Sequence, residues 1–110
     1  MSGSDLFTGT LDILILRTLE AAPLHGYAIG KSIRDSSEGV LSVEEGALYP
    51  ALHRLEGKGL LEAEWGKTDT GRRAKFYRLT PEGVGHLEAE SERWTEFSGA
   101  VSAILGTGAS

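Results

Sequence analysis

The chain has no cysteine. That excludes a disulfide framework and any thiolate metal site, and it suits a reducing compartment, so a cytoplasmic protein is expected. No apolar run approaches membrane-spanning length. The nearest, Leu11 to Leu16, is followed by Arg17 and Glu20 and reads as a buried helix. The N-terminus lacks the basic start and small-residue cleavage site of a signal peptide, and none is expected. No glycine-rich loop follows a strand-like run, so no nucleotide cradle is visible. His25, His53 and His86 are scattered without metal-ligand spacing. Serine, histidine and aspartate are present, as in any chain of this size, but nothing arranges them for nucleophilic catalysis. The reading is therefore of no catalytic residues, no metal and no cofactor, and not of an enzyme.

What is present is enough for one domain and little more: 110 residues, 40% hydrophobic, with no internal repeat. The formal net charge of −5 argues at first against a polyanionic partner. The distribution says otherwise. Residues 53–78 carry seven Lys or Arg against four acids, a local +3, while residues 1–52 and 79–110 are each −4. Acidic flanks weaken non-specific attraction to phosphates and leave any such contact to a few residues.

The positive segment opens on a patterned helix. Leu48, Leu52 and Leu55 recur at i, i+4 and i+7, one apolar stripe, with Tyr49, His53, Arg54 and Lys58 on the other side. An aromatic and cationic outer face on a short helix is what a DNA groove requires. Two alternating runs follow, residues 61–65 and 75–79, around a turn rich in Gly, Thr and cations. A helix followed by a two-stranded wing is the winged form of helix-turn-helix.

The rest of the chain reads as three more helices. The first, over about 8–21, is apolar on more than one face, with Leu11, Ile13, Leu14, Ile15, Leu16 and Leu19. Such a helix must bury more than one face, and the second is expected to meet another subunit. Pro23 and Gly26 break the chain. A second helix over 26–36 turns Tyr27, Ile29 and Ile33 inward, and Gly39 ends the polar turn after it. Ser42 and Glu45 have the spacing of a capping box and are expected to start the third helix, which runs to about 57. Pro50 inside it removes the bond to the Gly46 carbonyl and should tighten or bend its first turns. Thr80 caps the last helix, with Pro81 at its first position, running to about 105. Along it Leu87, Trp94 and Val101 repeat at seven residues, as do Phe97 and Ile104, a short coiled-coil-like seam. The expected organisation is a winged-helix domain over 1–80, a dimerisation helix over 81–105 and a frayed tail over 106–110. The fold class is mainly α with a small β wing.

Four motifs, in order, carry a resemblance to a known family. Gly46-Ala-Leu-Tyr-Pro-Ala-Leu-His-Arg-Leu-Glu-Gly-Lys-Gly-Leu closely resembles the recognition-helix signature of PadR-like transcriptional regulators. Gly9-Thr-Leu-Asp-Ile-Leu-Ile-Leu resembles their first helix, and His25-Gly-Tyr-Ala-Ile their second. Arg73-Ala-Lys-Phe-Tyr-Arg-Leu-Thr-Pro-Glu-Gly resembles the return strand of their wing and the start of their last helix. The match covers roughly residues 6–105 and is far more specific than a lone helix-turn-helix pattern. It is similar to the subgroup with a single C-terminal helix. The resemblance implies a winged-helix homodimer, usually a repressor, that binds inverted-repeat operators and in some members is released by planar apolar or phenolic effectors. The acidic flanks of this chain depart from the charge expected of a strong DNA binder.

The expected DNA-binding residues are Gly46, Ala47, Tyr49, His53, Arg54 and Lys58 on the third helix, and Arg72, Arg73 and Lys75 on the wing. Gly46 and Ala47 would let the backbone approach DNA closely. Tyr49 would meet a phosphate or a thymine methyl, its plain alternative being packing on the wing. Arg54 and Lys58 would meet phosphates; otherwise they are an ordinary polar face. Arg72 and Arg73, after Gly71 at a hairpin tip, would enter a minor groove or clamp its phosphates; otherwise they sit on a mobile loop. The expected dimer interface is Leu11, Ile15, Leu87, Trp94, Phe97, Val101 and Ile104, in an obligate or near-obligate homodimer. Trp94 and Phe97 are the candidate seat of a small aromatic effector, against the alternative that Trp94 only anchors the dimer core. A competing class is a protein-interaction module that uses this fold without DNA; the basic wing argues against it, and the salt dependence of binding separates the two.

Overall fold

The computed structural model describes residues 3–106, with side chains from Gly9 onward. The elements are α1 (Gly3–Thr18), β1 (Leu24–His25), α2 (Gly26–Ser36), α3 (Glu45–Gly57), β2 (Leu61–Lys67), β3 (Arg73–Leu79) and α4 (Pro81–Leu105). The three strands form an antiparallel sheet of order β1-β3-β2. This is a winged helix-turn-helix followed by a long C-terminal helix.

Leucine and isoleucine build the core. Leu11, Ile15, Leu16 and Leu19 of α1 and its exit meet Ile29 and Ile33 of α2, Leu48, Leu52 and Leu55 of α3, Leu61 and Tyr77 of the sheet, and Leu87 of α4. α1 touches α2, α3 and α4, which explains its apolar breadth. Ile13 and Leu14, on its remaining face, also pack against this cluster. The expectation that Leu11 and Ile15 lie between subunits is thereby corrected: they are 5% and 0% exposed within one chain, and Leu87 is 2% exposed. Among the described residues, the apolar side chains of α1 from Leu11 on are largely covered by the chain's own helices, and an obligate partner loses that support.

Local chemistry sets the element ends. α1 stops at Thr18, whose hydroxyl donates to the Leu14 carbonyl at 2.7 Å. β1 leaves no trace in the sequence pattern, because two residues are too short to show alternation. It pairs Leu24 with Tyr77 and His25 with Phe76. His25 then caps α2, its Nδ1 accepting from the Ala28 N–H at 3.4 Å. Tyr27, expected inward, is 61% exposed; α2 buries Gly26, Ile29 and Ile33 instead.

The start of α3 also differs from expectation. Its N-cap is Glu44, which makes no side-chain capping bond, so Ser42 and Glu45 do not form a capping box. Val43 supplies the reason. It packs against the core from the position before the cap, and Leu48 occupies the fourth helical position, the two places of a hydrophobic staple. The staple, rather than a hydroxyl, fixes where the helix begins. Pro50 is accommodated in α3, and the Glu44 carbonyl accepts from both Ala47 and Leu48, a tightened first turn.

The junction between α3, β2 and α4 is closed by Thr80. Its hydroxyl donates to the Gly59 carbonyl at 2.7 Å and accepts from the Gly83 N–H at 3.0 Å, capping α4 as expected. Gly83 lies so close to the Leu60 carbonyl that an added Cβ would sit 2.2 Å from that oxygen. From Glu92 onward α4 has no buried residue, and the molecule measures 49 × 29 × 26 Å. Of the expected tail, 107–110 lies outside the described residues, and Gly106 ends α4 with φ 72°.

Candidate nucleic-acid interface

α3 divides its residues between two environments, as its pattern requires. Leu48, Ala51, Leu52 and Leu55 are buried; Gly46, Ala47, Tyr49, His53 and the C-cap Lys58 are exposed. A Cβ at Gly46 would meet nothing within 4 Å, so internal crowding does not explain its smallness. The consequence is a bare stretch of helix backbone at Gly46 and Ala47. Tyr49 packs against the start of α2. Its ring covers Gly26, where an added Cβ would lie 2.7 Å from the ring, and it remains 44% exposed. Tyr49 thus helps join α2 to α3 while its outer side faces solvent. Beside it a cleft of about 190 Å³ opens between the two helices, lined among others by Gly30, Lys31, Arg34 and Val43.

The wing continues the sheet beyond the core. Register places Leu61, Ala63, Trp65 and Lys67 on one face with Leu79, Tyr77, Lys75 and Arg73. The first members of each row are core; the last members are Trp65, Lys67, Arg73 and Lys75. The other face carries Glu62, Glu64, Phe76 and Arg78. The wing therefore has a basic side and a mixed side. Its turn is built rather than loose. Thr68 N–H donates to the Arg72 carbonyl at 2.8 Å, and Arg72 N–H donates to the Thr68 hydroxyl at 3.2 Å. Gly71, at φ 82°, closes it by donating to the Thr68 carbonyl at 2.8 Å.

Pairing of charges separates the cations into two groups. Arg54 is held by Asp12 of α1 at 2.5 Å, and Lys75 by Glu56 of α3 at 3.2 Å. Arg78 bonds Glu62 across the strands at 2.7 Å, and that hydrogen bond raises the arginine pKa further. Lys31 donates to Asp35 at 2.7 Å and holds its carboxyl below the usual value. Arg34 also approaches Asp35, Arg17 pairs with Glu20 just past the end of α1, and Arg93 pairs with Glu90 along α4. Lys58, Lys67, Arg72 and Arg73 have no carboxylate within 4.0 Å among the described residues. All four lie between the end of α3 and the wing tip.

Of the expected site residues, then, the structure leaves Gly46, Ala47, Tyr49 and His53 exposed on α3, with Lys58 exposed at its C-cap. It places Arg72 and Arg73 on the wing with their charges unneutralised. Arg54 and Lys75 are different: both are half-buried and tie α3 to α1 and to the wing. Lys67 and Trp65 join Arg73 and Lys75 on the basic side of the wing, beyond the expected residues; strand alternation, which puts 65 and 67 on one face, is the sequence signal for them. Of the expected interface, Trp94, Phe97, Val101 and Ile104 are exposed along α4, at 41%, 43%, 37% and 85%. The Trp94 and Phe97 rings are neighbours, with centroids 5.9 Å apart.

Comparison with known proteins agrees with this geometry. The sequence pattern described as "Transcriptional regulator PadR-like family" matches residues 15–89. A transcriptional regulator from Clostridium thermocellum is 31% identical in a structural match with TM-score 0.81, covering 94% of this chain and 97% of that one. A PadR family transcription regulator from Clostridium difficile is 35% identical with TM-score 0.74, covering 86% and 97%. A Lysinibacillus sphaericus relative known as "Uncharacterized protein X" is 33% identical over 96 residues, 87% of this chain and 88% of the relative.

Proposed function

The chain belongs to the PadR-like family of transcriptional regulators, and from that premise we propose that it binds double-stranded operator DNA through α3 and the wing, as a cytoplasmic homodimeric repressor. The observation that carries the proposal is the segregation of charge. Every other lysine or arginine has an acidic partner, whereas Lys58, Lys67, Arg72 and Arg73 do not, among the described residues. They supply the phosphate contacts. The bare Gly46–Ala47 backbone, with Tyr49 and His53, supplies the groove face of α3. Net acidity elsewhere makes the binding depend on these few groups.

The stripe of Trp94, Phe97, Val101 and Ile104 supports the homodimer. A folded chain seldom leaves such a row uncovered, and a two-fold axis through α4 would also match an inverted-repeat operator. The Trp94–Phe97 pair supports an aromatic effector seat at the same seam. A planar ligand would act there by favouring one separation of the two α3 helices over another.

The test is selection of bound duplexes from random DNA, followed by affinity against salt on the selected site. Recovery of an inverted repeat and a steep log–log salt slope are expected. Arg72→Ala and Arg73→Ala should each reduce that slope by about one per chain, while Tyr49→Ala should also change which sequence is preferred. No selected sequence, or a flat salt response, would overturn the reading in favour of a protein-interaction module. Aromatic cations and phenolic acids, titrated while following Trp94 emission and operator affinity, test the effector; a Trp94→Phe control identifies the signal.

A further inference from the structure

Trp65 poses a problem of placement. It is 59% exposed on a two-stranded ribbon, beyond the last core residues of β2, where a large apolar ring gains little from burial. On the same face, the Arg73 guanidinium carbon lies 4.6 Å from the centre of its ring. Register explains the meeting: Trp65 pairs with Lys75 and Lys67 with Arg73, so Trp65 and Arg73 are diagonal neighbours across the strands. Arg73 has no hydrogen-bonded side-chain partner among the described residues, and its guanidinium rests on the Trp65 ring.

The choice of partner has a chemical consequence. A carboxylate would orient an arginine but cancel its charge, as Asp12 does for Arg54 and Glu62 for Arg78. An indole face orients the guanidinium and leaves its charge and its five N–H donors available. The hydrogen-bonded turn from Thr68 to Arg72 already fixes the backbone leading into Arg73. Ring and turn together hold the side chain before any ligand arrives. We infer that Trp65 is a positioning residue of the wing, which stacks Arg73 and presents its unneutralised guanidinium to a DNA phosphate. Ordering a long side chain in advance removes part of the entropy that binding would otherwise cost. This inference rests on the DNA-binding reading above and adds a residue that acts only through another.

A double-mutant cycle on the selected operator tests it, with affinity measured against salt for the full-length protein. Arg73→Ala should weaken binding and reduce the salt slope by about one per chain. Trp65→Ala should weaken binding by about threefold, the size of an exposed cation–π contact, with the slope nearly unchanged because the charge remains. The double variant should bind no worse than Arg73→Ala alone, and Trp65→Phe should restore most of the loss. Thermal melting of each variant separates these effects from unfolding of the wing. Losses that multiply in the double variant would overturn the inference, since Trp65 would then touch DNA itself. So would wild-type affinity in Trp65→Ala. Either result leaves the DNA-binding reading intact, whereas a wild-type protein that selects no DNA defeats that reading instead.

Discussion

The winged-helix body and the outer half of α4 are built on opposite terms. In the body, the described leucine and isoleucine stripes find their cover within the chain, down to Leu52, Leu55 and Ile29 at 0% exposed. In the outer half of α4, Trp94, Phe97, Val101, Ile104 and Leu105 are all exposed, and no residue from Glu92 on is buried. The same apolar residue types serve closure in one region and availability in the other. The difference teaches that the body closes its own core, with Leu87 from the first half of α4, while the outer half of α4 is an arm with an apolar row left open. A change that breaks the body should therefore destroy everything, and a change on the arm should leave the body folded.

The largest effects belong to the body. Leu52→Ala empties a fully buried site and should cost about 3 kcal/mol, a large part of the stability of a domain this size. Gly83→Ala should cost about 2–3 kcal/mol by a different route, because its methyl group would meet the backbone oxygen of Leu60 rather than a yielding side chain. Chemical denaturation measures both. If Gly83→Ala melted like the wild type, the junction between α4 and the wing would be looser than its geometry states.

The arm comes next. Phe97→Asp puts a charge in the exposed row and should weaken self-association by about thirtyfold or more, the range of an interface anchor worth about 2 kcal/mol. Light scattering across concentration reads the association, and circular dichroism should show the body still folded and melting cooperatively. A variant that lost its body fold together with its association would erase the distinction between the two regions. So would a wild-type chain that stays monomeric at high concentration.

This contrast was only partly legible in the sequence. Periodicity located α2, α3, the wing and α4, because each has one apolar stripe or a clear alternation. It could not tell whether the broad apolar surface of α1 meets its own chain or another, since surplus apolar residues look alike in both cases. Three neighbouring helices turn out to cover it, and that is a fact of tertiary packing. Ser42 looked like a cap because spacing alone defines a capping box, whereas Val43 decides the start by being drawn to the core. Arg54 and Arg73 are equally cationic on paper. Only the fold shows that one is spent on Asp12 and the other rests on a ring.

A smaller effect follows for Arg54. Its bond to Asp12 joins α3 to α1, two elements of the body far apart in sequence, and Asp12 is 15% exposed at its side chain. Asp12→Asn keeps the shape and removes the charge, so about 1 kcal/mol of stability should be lost. It would also release Arg54 as a further unneutralised cation beside the proposed DNA-binding face. Stability and DNA affinity should then move in opposite directions, with the salt slope rising. A loss of both would mean that Asp12 orients α3 for binding, and that Arg54 does not reach the phosphates when freed.

The smallest effect is alkaline and again confined to the body. Burial pushes the Tyr77 phenol above its ordinary value of 10.0, against the opposing pull of Lys75. The neutral phenol is thus favoured by the fold. Its contribution is complete below the unfolded tyrosine pKa and is lost as pH rises through the higher folded value. Below pH 9 Tyr77→Phe should leave the pH dependence of stability unchanged. Above pH 10 the wild type should lose stability faster than the variant. The outer half of α4 has no tyrosine, so ultraviolet titration of the phenols reports the body alone. Trp94 emission can be followed beside it as a reporter of the arm, in a Trp65→Phe background. A phenol that ionises at its ordinary pH in the folded protein would show that the sheet over Tyr77 opens more readily than its packing implies, and the body would be less closed than the contrast with the arm requires.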